Sequence, residues 1–189
     1  MKISKKVLIK KVKKIKLLLI DTDGVMTKNF IVWSNNDVGK KKFFESKLFC
    51  VHDGSACWVA HEADLKIVLV SGRDSESVSR RAKKIKIEEV YLGRINKLII
   101  LKKLINKYGL KNHEIAYIGD DFLDIPILKK VGVAFTVKDA VEEVKEIADY
   151  IADKNGGEGA VGEIIRLVLK SQNKWNEAMK NVIKKSYNK

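Results

Sequence analysis

A single proline among 189 residues leaves no stretch that looks like an interdomain linker. With 46% of the residues hydrophobic, one well-buried domain is the expectation. The two cysteines, Cys50 and Cys57, are too few for a disulfide framework and too far apart for a Cys-x-x-Cys pair, so both read as reduced thiols of a cytoplasmic protein. No apolar run is long enough to span a bilayer. The first such run stops at Asp21 rather than at a small-residue cleavage site, so neither a signal peptide nor a membrane association is expected. Internal repeats are absent, and the only compositional bias is toward lysine. That bias produces a net charge of +14. No long basic block is interleaved with aromatics, so a solvated lysine-rich surface is expected rather than a nucleic-acid partner.

The stretch around which the chain is organised is Lys16-Leu17-Leu18-Leu19-Ile20-Asp21-Thr22-Asp23-Gly24-Val25. Branched aliphatics that end at a turn signal describe a strand buried on both faces, as in a parallel sheet. Such a strand delivers Asp21 and Asp23 to its carboxyl end, where open α/β sheets bind ligands. If the segment stays extended, alternation puts Asp21 and Asp23 on one side and Thr22 on the other. Two carboxylates sharing one small volume suggest a divalent cation or acid/base chemistry. The same residues also fit a strand end closed by an Asx-type turn before Gly24.

Before this strand, Ile3, Val7, Leu8, Val12 and Ile15 recur among lysines at helical spacing. After it, Phe30–Trp33 and the segments Lys42–Phe44 and Leu48–Val51 are β-prone and flank the turn-rich Ser34–Gly39, which predicts a hairpin insertion over about residues 28–51. Asp53-Gly54 is expected to open a helix running to Glu62. From Lys66 onward strands and helices alternate. Strands are expected at Ile67–Val70, Glu89–Leu92 (toward an edge), Glu114–Ile118, Gly132–Thr136 and Tyr150–Ile151. Helices are expected from a cap at Asp74 or Ser75 to Lys84, from Ile95 to Tyr108 with Gly109 as cap, from Asp121 to Lys130, and from Ala140 to Ile147. A last helix follows Gly156–Gly159. The pattern implies βαβ units in a doubly wound, mostly parallel α/β sheet with a hairpin insertion and no cap domain. A single domain over residues 1–170 and a helical or flexible tail over 171–189 are expected.

Chemistry gathers at the strand ends. The first supplies Asp21 and Asp23, the second Ser71, and the fourth Asp120 and Asp121, while Lys97 opens the helix after the third. Carboxylates suit Mg²⁺, and a hydroxyl, a lysine and backbone N–H groups suit phosphate oxygens. Taken singly, Ser71 is equally a turn residue, Lys97 a solvated helix residue, and Asp120 or Asp121 a helix cap.

Together, Asp21-Thr22-Asp23-Gly24-Val25, Ser71-Gly72-Arg73, Lys97 and Gly119-Asp120-Asp121-x-x-Asp124 resemble the four motifs of the haloacid dehalogenase superfamily. Val51-x-Asp53-Gly54, Tyr91-x-Gly93-x-x-Asn96-Lys97 and Asn155-Gly156-Gly157-x-Gly159-Ala160-Val161 narrow the resemblance to the 3-deoxy-D-manno-octulosonate 8-phosphate phosphatases. The resemblance implies a phosphatase in which Asp21 is the nucleophile and Asp23 the general acid and base. It implies Mg²⁺ held by Asp21, the main-chain carbonyl of Asp23, and Asp120. Ser71, Gly72 and Lys97 would bind the phosphoryl group, while Asp121 and Asp124 orient Lys97 or the metal's waters. An acid at position 23 separates phosphatases and mutases from dehalogenases, and the short insertion leaves no room for a mutase-type helical cap.

His52 and Gly162 stand where the narrower family usually carries arginine. His52 and Arg73 are therefore the candidates for holding the substrate's carboxylate, and a nonulosonate 9-phosphate is an alternative substrate. A catalytically silent oligomerisation domain and a nucleic-acid end phosphatase are the rival classes. The expected unit is a homo-oligomer, a tetramer as in the family. Packing of the hairpin's Phe30, Val32, Trp33, Phe43, Phe44 and Phe49 between copies would cover the open site, with residues 155–159 and the tail as further lid contacts.

Overall fold

The computed structural model describes residues 3–35, 43–87 and 89–187. Its spine is β1 (Leu17–Ile20), whose four side chains are all fully buried. On one side β1 pairs in parallel with β4 (Lys66–Val70), which in turn pairs with β5 (Glu89–Tyr91) at the edge. On the other side it pairs with β6 (Ile115–Ile118), followed by β7 (Val133–Thr136) and β8 (Tyr150–Ile151). All six strands are parallel, in the order β5-β4-β1-β6-β7-β8. The chain thus adds strands outward on one side of β1 and then returns to add strands on the other. The crevice beyond the carboxyl ends of β1, β4 and β6 is where an open sheet of this kind takes its ligand.

The helices cover both faces. They are α1 (Lys5–Val12), α2 (Val51–Glu62), α3 (Glu76–Lys84), α4 (Lys97–Tyr108), α5 (Ile125–Leu128), α6 (Glu142–Ile147), α7 (Ala160–Ser171) and α8 (Trp175–Tyr187). Helix α1 turns Leu8 and Val12 into the core and Val7 toward solvent. Helix α4 stops at Gly109, which takes the left-handed conformation (φ 62°) that a β-carbon disfavours. Among the described residues no helix is long and apolar enough to cross a membrane.

The insertion is a hairpin of β2 (Val32–Asn35) and β3 (Phe43–Ser46), antiparallel to each other and separate from the main sheet. Ser34 and Asn35 belong to β2, and the remainder of the expected turn, from residue 36, lies outside the described residues. Leu48–Val51 does not continue as a strand. Phe49 makes one bridge to Thr27, Cys50 takes the cap position, and Val51 already opens α2, two residues before Asp53.

Two expected alternatives are resolved and one boundary shifts for a local reason. Ser75 occupies the cap of α3 without a side-chain bond to the helix. The expected helix from Asp121 breaks into a tight turn over Phe122–Asp124 and the short α5, because Asp121 and Asp124 cap each other reciprocally and Pro126 restarts the coil. The C-terminal stretch is helical: Trp175 and Ala178 of α8 are buried, and the Arg166 guanidinium stacks 4.4 Å from the centre of the Trp175 ring.

Candidate active site

At the end of β1 the Asp21 N–H donates to the Ile118 carbonyl (2.9 Å), holding the residue beside β6. The extended alternation does not run on. The chain coils at Thr22 and reverses at Gly24, whose φ is 80°. Thr22 is fully buried, and the two aspartates enter different surroundings. Gly24 is required for a second reason, since a β-carbon there would overlap the Asp120 carboxylate.

Asp21 shares its surroundings with Asp120 and Asp124, and one carboxylate oxygen from each lies within 4.8 Å of the others. Asp124 is already engaged. Its Oδ1 accepts from Lys97 (2.5 Å) and from the Tyr117 hydroxyl (2.7 Å), and its Oδ2 accepts from the N–H groups of Asp120 (3.0 Å) and Asp121 (3.4 Å). Asp120 Oδ1, in contrast, is buried without a hydrogen-bond partner among the described residues. Burial, helped by the Asp124 charge and opposed by Lys97, pushes Asp21 up to about 7. Burial together with the Asp21 and Asp124 charges pushes Asp120 up to about 8. Three carboxyls confined around one ammonium are short of positive charge, and a divalent cation would relieve that shortage.

Lys97, the first residue of α4, sets its ammonium 2.8 Å from Asp21 Oδ1 and 2.5 Å from Asp124 Oδ1. Burial alone would favour its neutral form, but the Asp21 and Asp124 charges outweigh that and hold its pKa above the ordinary lysine range. Ser71 closes β4: its N–H donates to Tyr91 O (2.9 Å) and its Oγ accepts from the Arg73 N–H (3.1 Å), so the Ser71–Arg73 turn is fixed at the mouth of the crevice. Asp121 caps the following turn, accepting from Phe122 N–H (2.5 Å).

Asp23 faces the hairpin. It is ion-paired to Lys47, and Arg73 Nε lies 4.0 Å away. Glu45 completes the group, 3.0 Å from Lys47 and 2.6 Å from Arg73. Burial works against the Glu45 charge, yet bonds from Lys47 and Arg73 keep its carboxyl below the ordinary range. His52 is not brought into either group. It is exposed on the first turn of α2 and lines a groove of 650 Å³ between α2, α7 and α8, together with Gly162, Arg166 and Trp175.

A profile of haloacid dehalogenase-like hydrolases matches residues 86–165. The 3-deoxy-D-manno-octulosonate 8-phosphate phosphatase of Escherichia coli strain K12 is 36% identical over 170 residues, which is 90% of this chain and 87% of that one. The chain belongs to this family of haloacid dehalogenase-like phosphatases. A crystal structure of the Moraxella catarrhalis phosphatase, in complex with a magnesium ion, a phosphate ion and a KDO molecule, superposes with a TM-score of 0.86 at 32% identity, covering 95% of this chain and 99% of that one. The cobalt-bound phosphatase of Haemophilus influenzae superposes with a TM-score of 0.77 at 32% identity, over 86% of this chain and 92% of that one.

Within this phosphatase, sequence reasoning missed three side chains. Lys47 and Glu45 sit in a lysine-rich stretch where nothing marks one lysine as buried, although the Lys47 side chain is 1% exposed. Tyr117 reads as one more core residue of a four-residue strand, yet its hydroxyl lies among Lys97 and Asp124. Asn155–Gly159, expected to supply lid contacts, is bonded within its own chain: Gly157 N–H donates to Val25 O (2.9 Å), in the loop after β1, and Gly156 N–H to Asp139 Oδ1 (2.8 Å). Helix α7, which follows, is tied to α2, its Gly162 N–H donating to the buried Asp53 (2.7 Å).

Proposed function

We propose that the protein hydrolyses 3-deoxy-D-manno-octulosonate 8-phosphate, a phosphorylated sugar acid, with Mg²⁺ as cofactor and Asp21 as the nucleophile. The observation that carries this is the pairing of Lys97 with Asp21 at 2.8 Å beside the orphaned Asp120 oxygen. It supplies a nucleophile, a fixed cation for phosphoryl oxygens and an unfilled anionic ligand in one crevice.

The donor set fits a hard divalent ion: Asp21 and Asp120 offer carboxylate oxygens in a volume short of positive charge, and the main-chain carbonyl of Asp23 is the third ligand in this scheme. When bound, Mg²⁺ supplies positive charge that offsets the approach of an anionic phosphate to an anionic nucleophile. An Asp21 oxygen attacks phosphorus as the bond to the sugar oxygen breaks, and Asp23 gives its proton to the departing alkoxide. Asp23 then takes a proton from water as that water attacks the aspartyl-phosphate, releasing inorganic phosphate and restoring Asp21. Lys97, Ser71 and the Gly72 backbone stabilise the equatorial oxygens, with Asp124 holding Lys97 and Asp121 fixing the turn that carries Asp124.

Arg73 is the guanidinium nearest Asp23 and is assigned to the substrate's carboxylate. His52 faces the groove it shares with Gly162 and Arg166, and in this reading the sugar portion is held by Arg73 and by a neighbouring subunit. The active unit in this proposal is a homotetramer. The support is the hairpin, where Phe30 is 75% and Trp33 62% exposed, with Ile31, Val32, Leu48 and Val51 also open to solvent. The enzyme is assigned to the cytoplasm, where Cys50 and Cys57, both free thiols, stay reduced.

The test is an assay of purified protein with Mg²⁺ against 3-deoxy-D-manno-octulosonate 8-phosphate, a nonulosonate 9-phosphate, hexose phosphates and a 5′-phosphorylated oligonucleotide. The eight-carbon ketoacid should have the highest kcat/KM, and chelation by EDTA should abolish turnover. Equal efficiency on hexose phosphates would reject the substrate assignment.

A further inference from the structure

We propose that Tyr117 is a positioning residue of the site, its hydroxyl holding the Lys97 ammonium in line with Asp21. This rests on the function proposed above for Lys97. A lysine ammonium has three N–H donors, and here each has one oxygen: Asp21 Oδ1 at 2.8 Å, Asp124 Oδ1 at 2.5 Å and the Tyr117 hydroxyl at 2.9 Å. The hydroxyl in turn donates to the same Asp124 oxygen at 2.7 Å. Tyrosine, lysine and aspartate thus close a triangle, with Asp21 attached at its lysine corner.

The neutral corner has a job the two carboxylates cannot do. When Asp21 carries the phosphoryl group its charge moves onto the phosphoryl oxygens, and Lys97 has to follow it from the Asp21 oxygen. Asp124, whose charge does not move, pulls the flexible four-carbon stem the other way. The Tyr117 hydroxyl keeps the same polarity at every stage, so it resists that swing when the lysine is needed on the transferring oxygens. The local fold makes room for the triangle: at Gly119 a β-carbon would lie 2.6 Å from the Tyr117 ring and 2.5 Å from the Asp124 carboxylate. The tyrosine is completely buried, so it cannot serve the substrate directly and acts through Lys97.

Tyr117→Phe removes one oxygen and preserves ring volume, so the fold should survive. The expected result is a fall in kcat of about tenfold with KM changed by less than about threefold, because the bond matters most after charge has moved. In a Lys97→Met background the same change should add no further loss, since the hydroxyl would have no ammonium to position. An equal loss in both backgrounds overturns the proposal. A readout independent of turnover is the ¹⁵N signal of the Lys97 ammonium, assigned by its absence in Lys97→Met. It should be protected from solvent exchange in the native protein and lose that protection in Tyr117→Phe. Unchanged protection overturns the proposal even if no phosphate ester proves to be a substrate, in which case the functional assignment fails separately.

Discussion

Asp23 is where the two charge groups of the site meet, because its neighbours Asp21 and Gly24 belong to the sheet end while its own partners, Lys47 and Arg73, come from the hairpin and the turn after β4. In the proposed mechanism Asp21→Asn removes the nucleophile and Asp23→Asn the proton donor, both without loss of volume. Each should lower kcat by at least ~10³-fold while circular dichroism stays native. Lys47→Met is subtler. It removes the ammonium that fixes the Asp23 carboxyl and leaves Glu45 with Arg73 alone, so kcat on the preferred ester should fall about tenfold. Retention of full turnover would show that the hairpin does not orient the acid. Asp21, Asp120 and Lys97 were legible in the sequence because an apolar run, a turn and a helix start fix where each must lie. Lys47 and Glu45 were not, since local pattern carries no sign that a lysine folds inward to a partner far along the chain.

At the scale of the elements, hydrophobic runs bounded by glycine or carboxylate marked the central strands β1, β6 and β7, because strands buried on both faces have no alternation to disguise them; the half-buried edge strands β5 and β8 were read from their place in the alternation of strands and helices. What escaped was decided by contacts between elements. Trp175, Ala178, Met179 and Val182 repeat at helical spacing in α8, but amid so many lysines and asparagines the stripe passes for a polar tail until α2 and α7 provide something to cover it. Trp175→Ala should cost about 3 kcal/mol in urea unfolding, from lost burial and the lost Arg166 stack. The hairpin is the opposite case, an aromatic ribbon with too little of its own chain to pack on. Replacing Trp33 and Phe30 by lysine should convert the particle from oligomer to monomer in light scattering, with activity falling in step if a neighbouring copy walls the site.

For the molecule as a whole, the crowded carboxyls tie stability to pH and to metal. Asp21 and Asp120 bind protons more tightly folded, at about 7 and about 8, than unfolded, where carboxyls titrate near 4. Their contribution is therefore greatest below the unfolded value and is lost as pH rises through the folded ones. Metal-free protein should melt progressively lower between about pH 4 and pH 8. At a fixed Mg²⁺ concentration the metal should return more stability at the alkaline end, about 2.7 kcal/mol where that concentration is a hundred times Kd. A melting temperature indifferent to Mg²⁺ at pH 8 would contradict this. The central place of β1 has a further consequence, in time rather than in space. Leu17 leaves the ribosome before both of its flanking partners, Lys66 and Ile115. The strand that leads to Asp21 must wait, exposed and apolar on both edges, until Ile115 has been made. A nascent chain arrested before Ile115 would possess Asp21, Asp23, Ser71 and Lys97 and still have no site, so catalytic competence in synthesis or refolding should arrive abruptly with β6 rather than accumulate.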